Sequence, residues 1–164
     1  MSIEEIPDIP SVIVVQANEG KVLHAFGDEI TVKLSGEQTG GSIAVGLSTV
    51  HPGGGPPPHI HHNEDELFMI IEGNFRFLVK GEWTEVMGPG TVVYTPRGVH
   101  HTFQNAGDTM GRFWLIATPS GFEQFFAKCA DVFAQPPPPN MARILEISAE
   151  HGLEFVPPLG PPPA

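Results

Sequence analysis

The sequence predicts an all-β fold, a sandwich or barrel, followed by two short C-terminal helices. Three observations predict it. Short runs rich in β-branched residues recur along the first 118 positions. Glycine and proline, at 19 and 18 copies, cluster between those runs and read as turns. After residue 119 the apolar spacing changes from alternate positions to the three- and four-residue steps of a helix.

The elements follow in order. "SVIVV" (11–15), "KVLHAF" (21–26), "EITVKL" (29–34) and "SIAVGLSTV" (42–50) read as strands. "GGGPPP" (53–58) is a turn-rich approach to "HIHH" (59–62), a short strand. Strand side chains at i and i+2 share a face, so His59 and His61 look one way, and Ile60 and His62 the other. "NED" turns the chain in a hairpin-like connection into "ELFMIIEG" (66–73), which returns Glu66 beside the two histidines. "NFRFLVKG" (74–81), "TVVYTP" (91–96), "HTFQNAG" (101–107) and "GRFWLIA" (111–117) complete the strands, with tight hairpins at "EGNF" and "VKGEW". In "SGFEQFFAKCADVFA" (120–134), Phe122, Phe125, Phe126, Cys129 and Phe133 form one helical stripe, which makes Cys129 a core residue. "QPPPPN" (135–140) is a stiff linker to a second helix in "MARILEISAEHG" (141–152), and "PPLGPPPA" is a frayed tail. Residues 1–39 are therefore expected to complete the barrel, 40–118 to form its main body, and 119–164 to be a helical extension.

Composition excludes several functions. The formal charge is −11 with only eight lysines and arginines, which disfavours nucleic acid and anionic membrane surfaces as partners. One cysteine rules out an internal disulfide. The N-terminal "MSIEEIPDIPS" lacks the basic and apolar regions of a signal peptide, and no run approaches the length of a membrane span. A cytoplasmic location is expected.

The chemistry concentrates in "PPPHIHHNEDE" (56–66). Strand phase brings His59, His61 and Glu66 together. "HHTFQN" adds His101, which shares its face with Phe103 and opposes His100. Three imidazoles and a carboxylate in an apolar interior suit a divalent transition metal, because buried ionisable groups are costly without a partner. His62 and His100 are expected on the outer surface, and His24 and His151 at the surface. His51 is placed near the barrel mouth. Glu64 and Asp65 are expected to be solvated in the turn, with Glu64 also placed to support a ligand from behind.

These residues resemble the two motifs of the cupin superfamily. Gly53, His59, His61, Glu66 and Gly73 match the first motif at every position, and Gly90, Pro96, Gly98, His101 and Asn105 match the second. The resemblance implies a double-stranded β-helix, the jelly-roll barrel, with one Mn, Fe, Co, Ni, Cu or Zn ion per chain on His59, His61, Glu66 and His101. More finely, "PPPHIHHNEDELFMIIEG" with a "GFEQFF" helix is similar to single-domain cupins of the quercetin 2,3-dioxygenase-like type. That likeness implies a flavonol or other enolisable aromatic substrate, O2 as co-substrate, and Glu66 as the catalytic base. An isomerase, a decarboxylase and a non-catalytic binding cupin are the alternatives. Phe68, Phe75, Phe77, Phe103, Tyr94 and Trp114 are expected to line the pocket. Leu67, Met69 and Ile71 face outward and suit a homodimer interface.

Overall fold

The computed structural model describes residues 12–157; the N-terminal "MSIEEIPDIPS" and all but the first residue of the "PPLGPPPA" tail lie outside them. The strands are β1 (Lys21–Ala25), β2 (Asp28–Leu34), β3 (Ala44–Val50), β4 (His59–His61), β5 (Asp65–Glu72), β6 (Phe75–Val79), β7 (Glu82–Trp83), β8 (Val92–Thr95), β9 (His101–Asn105), β10 (Gly111–Thr118) and β11 (Leu153–Phe155). The helices are α1 (Gly36–Thr39), α2 (Phe122–Phe133) and α3 (Met141–Glu150). Two antiparallel sheets face each other, ordered β1-β2-β3-β10-β5-β8 and β11-β4-β9-β6-β7. This is the double-stranded β-helix with two short C-terminal helices.

Alternation builds the core. Along β3 and β10 every second residue is buried, so Val50, Phe113 and Leu115 point between the sheets and Leu47, Trp114 and Ile116 point out. On β5 the inward set is Glu66, Phe68 and Ile70. Nothing but the phase of the strand puts Glu66 inside, because the same register buries the phenylalanine two places on. The inner faces meet in a phenylalanine cluster, with Phe103 and Phe113 ring centroids 4.9 Å apart in an edge-to-face pair.

Two turns and one strand differ from expectation. "NED" is not a hairpin: β4 and β5 belong to opposite sheets, so the chain crosses the barrel there. "EGNF" likewise carries β5 into the other sheet, and Gly73, at φ 81°, sits where a side chain would come within 2.8 Å of Gly111 Cα. "VKGEW" does form the β6–β7 hairpin. Residues 12–15 of "SVIVV" form no strand, and Val12 and Val14 are largely exposed. β propensity expresses fit to a neighbouring pleated surface, and here the chain turns at Gln16–Glu19 instead. The buried ammonium of Lys33 holds that turn through the carbonyls of Gln16, Ala17 and Glu19.

The C-terminal segment closes one end of the barrel. The apolar stripe of α2 buries Phe125, Phe126 and Cys129, and burial pushes the Cys129 thiol up to about 12, the state of an inert core residue. Asn140 caps α3 by accepting from the Arg143 N–H. The chain then forms β11 beside β4, an element whose three residues gave no strand signal. No helix among the described residues is long and apolar enough to cross a membrane.

Candidate metal centre

The four residues singled out by strand phase converge. One ligand atom from each of His59, His61, Glu66 and His101 lies within 4.8 Å of the others, and all four residues are buried. The histidines come from β4 and β9 of one sheet, where His59 pairs directly with His101. Glu66 reaches them from β5 of the opposite sheet. Gly98, in the turn before β9, donates its N–H to the His61 carbonyl and so ties the second motif to the first.

Hydrogen bonds behind the rings fix which nitrogen faces inward. His59 Nδ1–H donates to the Pro57 carbonyl at 2.8 Å, and His101 Nδ1–H to the Val99 carbonyl at 3.0 Å. His61 Nδ1 faces Glu64 Oε2 at 3.4 Å. Each partner leaves Nε2 as the nitrogen turned toward the cluster, the arrangement a metal-binding imidazole needs. His101 Nε2 lies 2.8 Å from Glu66 Oε2, and His61 Nε2 lies 3.4 Å from the same oxygen. Although buried, His61 Nε2 makes no hydrogen bond. An orphaned buried nitrogen beside a carboxylate and two further imidazoles fits a divalent cation, which would accept all four lone pairs at once.

The electrostatics agree. Burial, then the neighbouring His101 and His61, push His59 down to about 3, so it stays neutral and available as a ligand. Burial presses His61 down as well, but Glu66 and Glu64 outweigh it and raise it. Burial alone would push Glu66 up; His61 and the His101 hydrogen bond overcome it and hold the carboxyl at about 2.

The supporting residues correct two expectations. Glu64 is not solvated: it is buried, with Gly121 at the start of α2 packed against its carboxylate and His61 Nδ1 facing it. Asp65 is no free turn residue either. It opens β5, and the Arg97 guanidinium clamps both its oxygens, holding its carboxyl at about 2. Replacing Glu64 by glutamine should weaken metal binding by about 10- to 100-fold through the loss of a charge behind His61. Competition against a chelator of known affinity checks this.

The remaining histidines lie elsewhere. His62 pairs with Glu154 at 2.9 Å on the exposed β4–β11 edge. His100 is half-buried, and its Nε2 has no partner among the described residues. His24 and His51 are exposed. His151 is not a free surface residue: its ring donates to the Ile147 carbonyl and packs on Phe125 at the end of α3.

A cavity of about 60 Å³ adjoins the cluster and is lined by His59 and Glu66 together with Phe68, Phe103, Phe113, Phe122, Phe126 and Phe155. Of the expected pocket residues, Phe68 and Phe103 line it. Phe75 and Phe77 stand one layer behind, against Phe103 at 6.2 and 6.0 Å. Tyr94 and Trp114 are not part of it. Tyr94 pairs with outward-facing Leu67 and is 58% exposed, and Trp114 falls between inward Phe113 and Leu115. The α2 stripe was visible in the sequence as helical spacing, but its place over the cavity was not. Phe155 carried no signal.

Asp28 and Ser48 also line this cavity. Burial pushes Asp28 up to about 6, with His51 acting weakly against it. Between its ordinary value of 3.8 and that raised value, the folded protein holds a proton the unfolded chain has released. Stability therefore falls as pH rises through this window. Asp28→Asn should melt a few degrees higher than the parent above pH 6, with the gain vanishing below 3.8; melting curves across that range test it.

Residues 46–117 match the family model described as "Cupin domain". Germin-like protein 5-1 of Oryza sativa subsp. japonica is 30% identical over 103 residues, covering 57% of this chain and 45% of that protein. The aligned region spans less than half the length of the curated relatives it matches. Among solved structures, a predicted oxalate decarboxylase from Thermotoga maritima is similar at a TM-score of 0.59 and 23% identity, over 65% of this chain and 99% of that one. The polyketide cyclase RemF from Streptomyces resistomycificus is similar at 0.57 and 23%, over 67% and 81%. Both structural likenesses speak to the fold alone.

Proposed function

We propose that this chain, a cupin-fold protein with a matching cupin domain, is a metal-dependent dioxygenase for a flavonol-like or other enolisable aromatic substrate. One observation carries the reading. The three-histidine, one-carboxylate cluster opens onto a cavity with aromatic walls and no lysine or arginine among its lining residues. A phosphorylated substrate would need such cations. His59, His61, Glu66 and His101 would hold one divalent transition metal. Bound there, it would supply Lewis acidity toward an enol oxygen and, if redox-active, a route to O2.

The protein's own residues have the following roles. Glu66 is ionised and accepts the proton of a substrate hydroxyl. A carboxylate held ionised by its histidine neighbours suits a substrate hydroxyl that is acidic, as an enol is. Phe68, Phe103 and Phe113 flank a planar ring, and Phe122 and Phe155 keep water from the ligand histidines. Oxygen uptake by metal-loaded protein with flavonols and with smaller 3-hydroxy-4-pyranones tests the proposal. Consumption that depends on both metal and substrate supports it, and none with any enolisable compound sinks it.

The size of the cavity favours a second reading. Sites for drug-sized ligands reach about 300–1,000 Å³, well above the 60 Å³ here. A three-ring flavonol is larger than this space, so the cavity wall would have to open to admit it. A smaller ligand, turned over by an isomerase or decarboxylase or simply bound, needs less movement.

The outer face of the larger sheet carries Leu47, Leu67, Met69 and Trp114, with exposed Val92 and Tyr94 at its edge. This face fits a homodimer interface. Light scattering should give twice the chain mass, and a mixed Leu67→Glu, Met69→Glu variant should give the chain mass.

A further inference from the structure

We infer that Asp28 and Ser48 form the polar end of the substrate cavity and select a ligand that carries a hydrogen-bond donor away from its metal-binding oxygens. The inference rests on the chelating role proposed for the metal cluster and names what else the ligand must contain.

Three observations carry it. First, both residues line the same cavity as His59 and Glu66, and the rest of the wall is mainly apolar. Second, strand phase aims them inward. Asp28 is in step with buried Ile30 on β2, and Ser48 on β3 pairs with Ile30 and with Phe113, so both stand on the inner face of the larger sheet. Asp28 Oδ1 also lies over Gly54, in the loop that leads to His59; a side chain at Gly54 would come within 3.3 Å of it.

Third, burial dominates the Asp28 carboxyl and outweighs its attraction to exposed His51, and Ser48 beside it on the wall is only 7% exposed. Polar groups on a cavity wall are complemented by a ligand or water. Asp28 has only acceptor oxygens when ionised, so its complement is a donor, a hydroxyl or an ammonium. Anionic ligands are disfavoured for the same reason, since Asp28 and Glu66 line the cavity without a lysine or arginine.

A matched pair of probes tests this. Kojic acid and allomaltol share one metal-binding hydroxypyranone and differ only in a hydroxymethyl against a methyl group. Calorimetry on metal-loaded protein should show kojic acid binding at least about tenfold tighter, the worth of a hydrogen bond to a charged group. In Asp28→Ala the ratio should collapse toward one, and in Ser48→Ala it should fall part of the way, with metal content unchanged in both. Replacing the hydroxymethyl by an aminomethyl group separates the two donors: a tighter complex marks an ammonium site and a weaker one a hydroxyl site. Equal affinities in the parent, or a preference that survives Asp28→Ala, would overturn the assignment. If neither pyranone binds, the chelation reading fails, and the subsite is judged with benzyl alcohol against toluene. A preference for the alcohol that Asp28→Ala abolishes sustains it, and no preference overturns it.

Discussion

His101→Ala should leave the protein with less than about a tenth of the parent's bound transition metal, measured by elemental analysis of protein purified without a histidine tag. The size of the effect follows from what this one ring does. Its Nε2 is the nearest group to the Glu66 carboxylate, at 2.8 Å, and its partner across the β4–β9 pair is His59. Without the ring, three donors remain, and Glu66 keeps His61 at 3.4 Å and the more distant His59 to offset its burial. Its carboxyl should then rise from about 2, which weakens it further as a ligand at low pH. Retention of full metal in the variant would mean that the ion sits elsewhere.

Glu66→Gln should separate binding from turnover. The amide keeps the size of the side chain and one oxygen, so much of the metal should remain on the three histidines. Turnover of any substrate the enzyme deprotonates should fall by about 10²- to 10⁴-fold, the usual contribution of a positioned base. Metal content and initial rate are measured on the same preparation. Unchanged turnover would remove Glu66 from proton transfer and leave it as a ligand only.

The ligand set was legible in the sequence for a simple reason. A strand period of two leaves no freedom about which of four adjacent histidine-strand residues share a face. The same rule placed Phe68 and Phe103. What it could not supply was which strands neighbour one another. Glu66 was expected to return beside the histidines through a hairpin, whereas it reaches them from the opposite sheet. The local pattern is identical in both cases, since side-chain phase is indifferent to the sheet a strand joins. Tyr94 and Trp114 were misplaced for a different reason. Aromatic residues suit either face of a strand, and only the pairing with Leu67 and the parity of Phe113 and Leu115 show them outside. The charge of Glu64 and its place in a turn point to solvent. The side chain is instead buried against Gly121, more than fifty residues later.

The pairing of β4 with β11 also constrains the order in which the chain can be finished. Strand β4, which carries two of the four ligands, is only three residues long. One of its edges is met by β9 and the other by β11, and β11 follows both C-terminal helices. During vectorial synthesis the histidine strand must therefore wait unpaired until β9 is made, and then half-paired while β10, α2 and α3 follow. Such long-range closure is slow relative to local folding. The ligand cluster would thus be among the last parts of the barrel to become rigid, and a ribosome stalled before residue 153 would display a nascent chain with an open histidine edge.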